Sequence, residues 1–218
     1  VLSVVWQIGR TGVLTPRAEL EPVVIGGVTI SRATLHNVDE IKRLGLKIGD
    51  TVVLERAGDV IPKIIKVMTK LRTGQEQLIK VPKKCPICGN AIKHQSGEVA
   101  LRCLNKNCYA VKLRSLIHWT SKSAIDIAGL GPKVVEQLFK KGLVVDIADF
   151  YTLTKGDLLS LDGFADKSAE NLLQAIQAKK KIPLAKFIYG LGIHHVGEET
   201  AIVLAKQLRQ WSNKAINT

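Results

Sequence analysis

Short apolar runs alternate with glycine, proline and aspartate over the first seventy residues. Val4, Val5 and Ile8 lead into a turn at GRTG, residues 9–12. The later runs read VLTP, EPVVIGGVTI, DTVVLER and IPKIIKVM. Runs of this length between turn-forming residues predict β-strands.

One helix is predicted within this β-rich region. Asn37 is suited to the N-cap, Glu40 stands three residues later as in a capping box, and Gly45 ends the segment. Ile41 and Leu44 then lie on the face that turns to the core. Several short strands with one inserted helix favour a small closed β-barrel of the OB type, with an SH3-like barrel as the nearest alternative.

The periodicity changes after Cys108, where apolar residues recur at three- and four-residue spacing. The clearest helical segments are KLRSLIHWTS, PKVVEQLFKKG, KSAENLLQAIQAKKK and EETAIVLAKQLRQW. Before the cysteines, residues 71–84 form a polar stretch that reads as a connection.

The helical half contains an internal repeat. IAGLGPKVVEQL, LDGFADKSAENL and IHHVGEETAIVL align on a core of the form Gly-apolar-Gly, whose third position falls at Gly131, Ala165 and Gly197. A period near 33 residues also occurs in ankyrin and tetratricopeptide arrays, but neither signature is present. Glycines at the junction of two helices fit helix-hairpin-helix motifs better.

Such a hairpin suits phosphate binding. Glycine permits close approach of the backbone, and the N–H groups that begin the second helix then point outward toward an anion. This binding reads no base sequence. The alternative is that these are ordinary corners between helices. The residues predicted to bind DNA here are Gly129, Gly131, Lys133, Gly163, Lys167 and Gly197.

Composition supports a polyanionic partner. The 218 residues carry a formal net charge of +13, and the basic excess is spread along the chain, which favours nucleic acid over a merely basic surface. There is no apolar run long enough to span a membrane and no signal-peptide pattern. The chain starts at Val1 and has one methionine, Met68, so we expect it to be part of a longer protein.

The four cysteines predict a structural zinc site. Cys85 and Cys88 form one close pair, and Cys103 and Cys108 form the other. Two pairs on tight knuckles are typical of tetrahedral zinc, whereas a redox pair needs only two cysteines and a disulfide scaffold usually has more. His94 lies between the pairs and could replace a ligand, but four thiolates already complete the site.

These features together predict a multidomain α+β protein. The expected domains are an N-terminal OB-fold β-barrel at 1–70, a linker at 71–84, a small four-cysteine zinc finger at 85–110 and an incomplete all-α helix-hairpin-helix domain at 111–218.

The chain resembles the bacterial NAD+-dependent DNA ligases. The resemblance rests on GRTGVLTPRAELEPVVIGG, SRATLHN, RAGDVIPK, CPICG and the three hairpins, in that order. It implies nucleic-acid contact by five residues of the OB domain, namely Arg10, Thr11, Arg56, Val60 and Ile61. From the residues alone, Arg56 could instead pair with Asp59, and Val60 and Ile61 could belong to the barrel core.

The resemblance also implies a reaction. In this family a lysine of a K-x-D-G motif takes AMP from NAD+, AMP passes to the 5′-phosphate of a nick, and the 3′-hydroxyl displaces it with the help of magnesium. The only Asp-Gly lies in SLDG, where Ser160 occupies the lysine position. We therefore expect the chain alone to be inactive, with NAD+ and magnesium bound mainly outside it.

Two departures from the family pattern occur in the hairpins. Ala165 stands where glycine is usual, which puts phosphate contact by the second hairpin in question, and His195 occupies the first-glycine position of the third.

The partner that the resemblance implies is nicked duplex DNA, bound without sequence preference during replication and repair. It also implies a monomer that acts in the bacterial cytoplasm, at the nucleoid. The alternatives are a free-standing zinc and helix-hairpin-helix repair module and an interaction scaffold.

Overall fold

A computed structural model describes residues 1–55, 62–94 and 100–216, with side chains described as far as residue 209. The chain divides into two compact units, Val1–Cys108 and Tyr109–Thr218. Within the described residues, no helix combines the length and the apolar character that a membrane crossing requires.

The first unit is built on a five-stranded sheet with the order β1-β2-β3-β6-β5. All pairs are antiparallel except β3 with β6, which is parallel. The strands of this unit are β1 (Ser3–Ile8), β2 (Leu14–Ile25), β3 (Val28–Thr34), β4 (Lys47–Ile48), β5 (Val52–Glu55), β6 (Lys63–Val67), β7 (Gln77–Leu78), β8 (Ile92–His94) and β9 (Leu101–Cys103).

Strand β2 alternates buried and half-buried residues from Leu14 to Leu20, as expected for a strand with one face on a core. Its register with β3 shifts between Glu19 and Val23. Pro22 lies in this interval and has no N–H to donate, so the ladder is interrupted there. Gly26 and Gly27, both with positive φ, then form the tight turn into β3.

The predicted closure of the barrel needs correction. The fold is the predicted mixture of an N-terminal sheet, a cysteine cluster and C-terminal helices, but in the described residues no ladder joins β1 to β5. The chain start links the two sheet edges by hydrogen bonds, since the Val1 ammonium donates to Asp50 O at 2.8 Å and Gly49 N–H donates to Val1 O at 2.8 Å.

Helix α1 spans Val38–Leu44 between the predicted caps. The Asn37 side chain accepts from the Glu40 N–H at 2.9 Å, and Gly45 ends the helix at φ 58°. The second half of the capping box is absent because the Glu40 carboxylate binds the Arg43 guanidinium at 2.7 Å instead. Ile41 packs into the core with Leu35 and Leu46.

Residues 71–84, predicted as a linker, lie inside the first unit and make long-range contacts there. Strand β7 pairs with β4, and Arg72 binds the buried Asp50 carboxylate at 2.7 and 2.8 Å. Neither contact could be predicted from local sequence patterns, because the paired residues are more than twenty positions apart in the sequence.

All the regular secondary structure described in the second unit is helical. Its main core cluster includes the fully buried Leu138, Phe150 and Leu158, and a second, smaller cluster contains Ile188, Ala201 and Ala205. The α-helices are α2 (Tyr109–Thr120), α3 (Pro132–Lys140), α4 (Lys155–Leu159), α5 (Asp166–Ala178), α6 (Leu184–Gly190) and α7 (Glu198–Ile216), with a 3-10 helix at Ile147–Thr152.

Candidate metal centre and nucleic-acid interface

The four cysteines converge on one point. Their sulfur atoms all lie within 4.8 Å of one another, with Cys85 and Cys108 at 3.9 Å and Cys88 and Cys103 at 3.6 Å. Four thiolates about 2.3 Å from a tetrahedral zinc ion stand about 3.8 Å apart. The cluster therefore has the dimensions of a four-thiolate zinc site.

Local turns bring each pair of cysteines into place. Gly89, at φ 71°, donates its N–H to Cys85 O at 2.9 Å, and Cys85 N–H donates to Asn90 O at 2.7 Å. In the second pair, Cys108 N–H donates to Asn105 O at 3.0 Å. Strands β8 and β9 form the hairpin between the pairs. His94 lies on β8 and does not belong to the cluster.

Burial and hydrogen bonding differ among these thiols. The Asn90 side-chain amide lowers the pKa of Cys88, whereas burial raises the pKa of Cys103. A bound zinc ion favours the deprotonated form of its thiol ligands, so it would hold all four cysteines as thiolates. All four positions come from the protein, so the site fits a structural zinc ion with no open coordination position for substrate.

The predicted DNA-binding residues of the first unit are only partly described. Arg10 and Thr11 lie in the turn between β1 and β2, and both are half-buried. Arg56, Val60 and Ile61 lie outside the described residues. The turn is closed by Gly9 N–H to Val13 O at 2.8 Å and by Gly12 N–H to Gly9 O at 3.0 Å.

The three predicted hairpins share one backbone pattern. The first position of each core has positive φ, at 83° for Gly129, 82° for Gly163 and 64° for His195. The central residue donates its N–H to the residue three before it in each copy, at 3.1, 3.4 and 3.1 Å. The third position accepts the first helical hydrogen bond, at 3.0, 2.9 and 3.0 Å.

The hairpins also use the same packing position. The N–H that donates to the third residue belongs to Val135, Ala169 or Ala201, and each of these side chains is fully buried. The helices that follow are α3, α5 and α7. The spacing of 34 and 32 residues therefore reflects a repeated helix start, and His195 shows that the first position does not demand glycine.

Charge distinguishes the three helix starts. Helix α3 opens with Pro132, exposed Lys133 and no acidic residue in its first turn. Helix α5 opens with Asp166, which binds Lys155 at 2.6 Å, beside exposed Lys167. Helix α7 opens with Glu198 and Glu199. Acidic side chains already lie at the positive ends of α5 and α7, whereas α3 has none in its first turn. The start of α3 is therefore electrostatically the most open to an anion.

The structure links the first two hairpins directly. The Gln137 side-chain oxygen on α3 accepts from the Asp162 N–H at 2.9 Å.

The structure also identifies a residue that the sequence did not single out. Arg102, next to zinc-site Cys103, is only 7% exposed and donates to Thr11 O at 3.1 Å. An isolated arginine in a short strand gives no sequence signal of such a contact.

Three family models match the chain in the predicted order. The model of the NAD-dependent DNA ligase OB-fold domain matches residues 1–76, and that of the NAD-dependent DNA ligase C4 zinc finger domain matches residues 84–110. A SAM-like helix-hairpin-helix tandem matches residues 121–178, which covers the first two hairpins.

Curated relatives that carry the name DNA ligase are similar along nearly the whole chain. Those of Geobacter metallireducens and Geobacter sulfurreducens are 50% and 52% identical over 213 and 205 residues, or 98% and 94% of this chain. That of Syntrophotalea carbinolica is 52% identical over 207 residues. The chain spans about a third of the length of these relatives, between 31% and 32%.

Proposed function

We propose that this chain, which belongs to the NAD-dependent DNA ligase family through its OB-fold and C4 zinc-finger domains, is the part of such an enzyme that grips nicked duplex DNA. The observation that carries the proposal is the threefold repeat of one hairpin geometry, each copy with an exposed third position at the start of a helix. Free N–H groups at such helix starts bind phosphate.

The OB domain would add a second set of contacts. Arg10 and Thr11 lie in one turn, and Arg56, Val60 and Ile61 belong to the same proposed surface by their resemblance to the family. An arginine here can bind phosphate or enter the minor groove, and apolar side chains can pack on sugars. The zinc knuckle, which is the segment from Cys85 to Cys108, would hold this region in shape and take no part in the chemistry.

In the whole protein, NAD+ would supply AMP and magnesium would neutralise phosphate charge. We assign both mainly to residues outside this chain. The chain would act as a monomer in the bacterial cytoplasm, at the nucleoid. Its contacts address phosphates, so binding would be independent of base sequence. Duplex would be preferred over single strand, since the described part of the chain presents no platform of aromatic side chains for stacking.

A duplex titration at several salt concentrations tests the proposal. We expect log affinity to fall linearly with log salt, with a slope of about −0.9 per phosphate contacted. Nicked, intact and single-stranded DNA of randomised sequence serve as ligands. A flat salt response, or a strong preference for one base sequence, would contradict the proposed grip.

Arg10→Ala tests the turn within the same experiment. Losing one phosphate contact should reduce the size of the salt slope by about one. Lys42→Ala is the matched control, because Lys42 is exposed on α1 of the same unit and its amine stands 3.8 Å from Asp39. Equal effects of the two variants would mean that Arg10 contributes only its charge.

A further inference from the structure

The turn that carries Arg10 and Thr11 is attached to the zinc knuckle by contacts that involve its backbone. Cys103 N–H donates to Gly12 O at 2.9 Å. The Arg102 guanidinium donates to Thr11 O at 3.1 Å, and Val13 and Arg102 form an isolated antiparallel bridge. Strand β9 is thus hydrogen-bonded to the turn at two adjacent residues, Arg102 and Cys103.

Gly12 makes this attachment possible. It has φ 81°, and a Cβ added there would overlap the carbonyl oxygen of Cys103. The close approach therefore requires glycine, both for its backbone conformation and for space. A side chain at this position would force the turn and β9 apart.

Arg102 is unusual for a surface-seeking residue because only 7% of it is exposed. A buried guanidinium requires acceptors to offset its loss of hydration, and Thr11 O is one of them. Its location next to Cys103 means that the same strand supplies a zinc ligand and a restraint on the turn.

We propose that Arg102 and Gly12 are positioning residues that lock the 9–12 turn onto β9, and so hold Arg10 and Thr11 in the conformation that contacts duplex DNA. This inference rests on the DNA-binding role proposed above. The knuckle then does more than stabilise itself, because it presets a turn about ninety residues earlier in the chain. Presetting a loop lowers the entropy cost of binding.

Arg102→Met in the full chain is the primary test. We expect zinc content to remain at one ion per chain, faster hydrogen exchange at the Gly12 and Cys103 amides, and duplex affinity about tenfold weaker, the equivalent of one strong hydrogen bond. Lys93→Met is the matched control, since Lys93 is the exposed register partner of Arg102 on β8. It removes the same charge and should cost at most about twofold.

A double-mutant cycle separates positioning from general stabilisation. If Arg102 acts through the turn, Arg102→Met should add little to the loss caused by Arg10→Ala, so the pair should lose far less than the product of the single effects. Arg102→Lys, which keeps the positive charge and an ammonium group that can donate, should recover part of the affinity. Gly12→Ala provides a second disruption that leaves Arg102 in place and should give the same exchange and affinity changes.

The outcomes distinguish the inference from the function on which it rests. No loss of affinity in Arg10→Ala would overturn the DNA-binding role of the turn and with it the inference. A loss in Arg10→Ala together with equal effects of Arg102→Met and Lys93→Met, or with multiplicative losses in the cycle, would overturn only the positioning role. Release of zinc from Arg102→Met would also overturn it, since the residue would then serve the knuckle itself.

Discussion

Single residues were predictable where their partners lie close in sequence. The Asn37 cap and the Gly45 helix end follow from local hydrogen bonds, and both are confirmed. The Asp50–Arg72 pair was not predicted, because a carboxylate and a guanidinium 22 residues apart carry no pattern that joins them. Glu40 illustrates a third case, in which nearby Arg43 competes successfully with the backbone for the carboxylate.

The Asp50–Arg72 pair should make the free energy of unfolding depend on pH in acid, below about pH 4. The Asp50 side chain is fully buried, and the hydrogen bond from Arg72 lowers its pKa. A depressed folded-state pKa gives stability that is complete above the unfolded value, about 3.9, and is lost as pH falls through the folded value. Arg72→Met should lower the free energy of unfolding by about 1–3 kcal/mol at pH 7, since it leaves the Asp50 carboxylate with fewer hydrogen-bond donors.

Urea unfolding at pH 7 and below pH 4 measures this effect. The difference between Arg72→Met and the unmodified chain should shrink in acid, where Asp50 becomes neutral in the variant. Arg43→Met is the control, because Arg43 makes an exposed pair with Glu40 and its loss should change the free energy of unfolding only slightly. Equal costs for the two variants would show that the burial of Asp50 is unimportant.

The two glycines of the first hairpin should respond differently to substitution. Gly129 has φ 83°, so Gly129→Ala should destabilise the second unit by about 1–2 kcal/mol. Gly131 has φ −74°, and a Cβ there would meet nothing within 4 Å. Gly131→Val should therefore leave the second unit folded with only a small decrease in melting temperature, because valine is a poorer N-cap than glycine. It should weaken duplex binding by obstructing the phosphate. Thermal melts and duplex titrations of the two variants measure these effects. A large loss of stability in Gly131→Val would contradict the assignment of Gly131 to phosphate contact.

Among the larger elements, the sequence predicted those that depend on local periodicity. The hairpin repeat is confirmed by three matching sets of backbone hydrogen bonds, since glycine placement and helix starts are local properties. The short pair β4 and β7 was missed, because two-residue strands have no periodicity to detect. Barrel closure was predicted wrongly, since edge pairing depends on strands distant in sequence.

The zinc knuckle is the element whose integrity is easiest to test. Metal analysis should give one zinc per chain, and Cys108→Ser should lose the ion and the protection of the β8–β9 amides from exchange, because metal binding supplies folding free energy. His94→Ala is the matched control and should retain zinc, since His94 lies outside the cluster. A disulfide between any two of the cysteines, without metal, would contradict the site.

For the whole molecule, the order of modules could be predicted from cysteine spacing and the hairpin repeat. The predicted division at 70, 84 and 110 stays a prediction. The structure groups the knuckle with the N-terminal sheet in one compact unit that ends at Cys108. The reason is visible only in three dimensions, where β9 joins the turn at residues 9–13.

The chain as a whole should have no nucleotidyl-transfer activity. The one Asp-Gly sequence, at 162–163, forms the second hairpin, where Gly163 has φ 82° and Ser160 caps α4. The nearby Lys141 amine donates to Ser160 O. Incubation with labelled NAD+ and magnesium should leave no covalent AMP on the protein, while a full-length NAD+-dependent DNA ligase of known activity serves as the positive control. A stable adenylate on any lysine of this chain would overturn the assignment of the nucleophile to residues outside it.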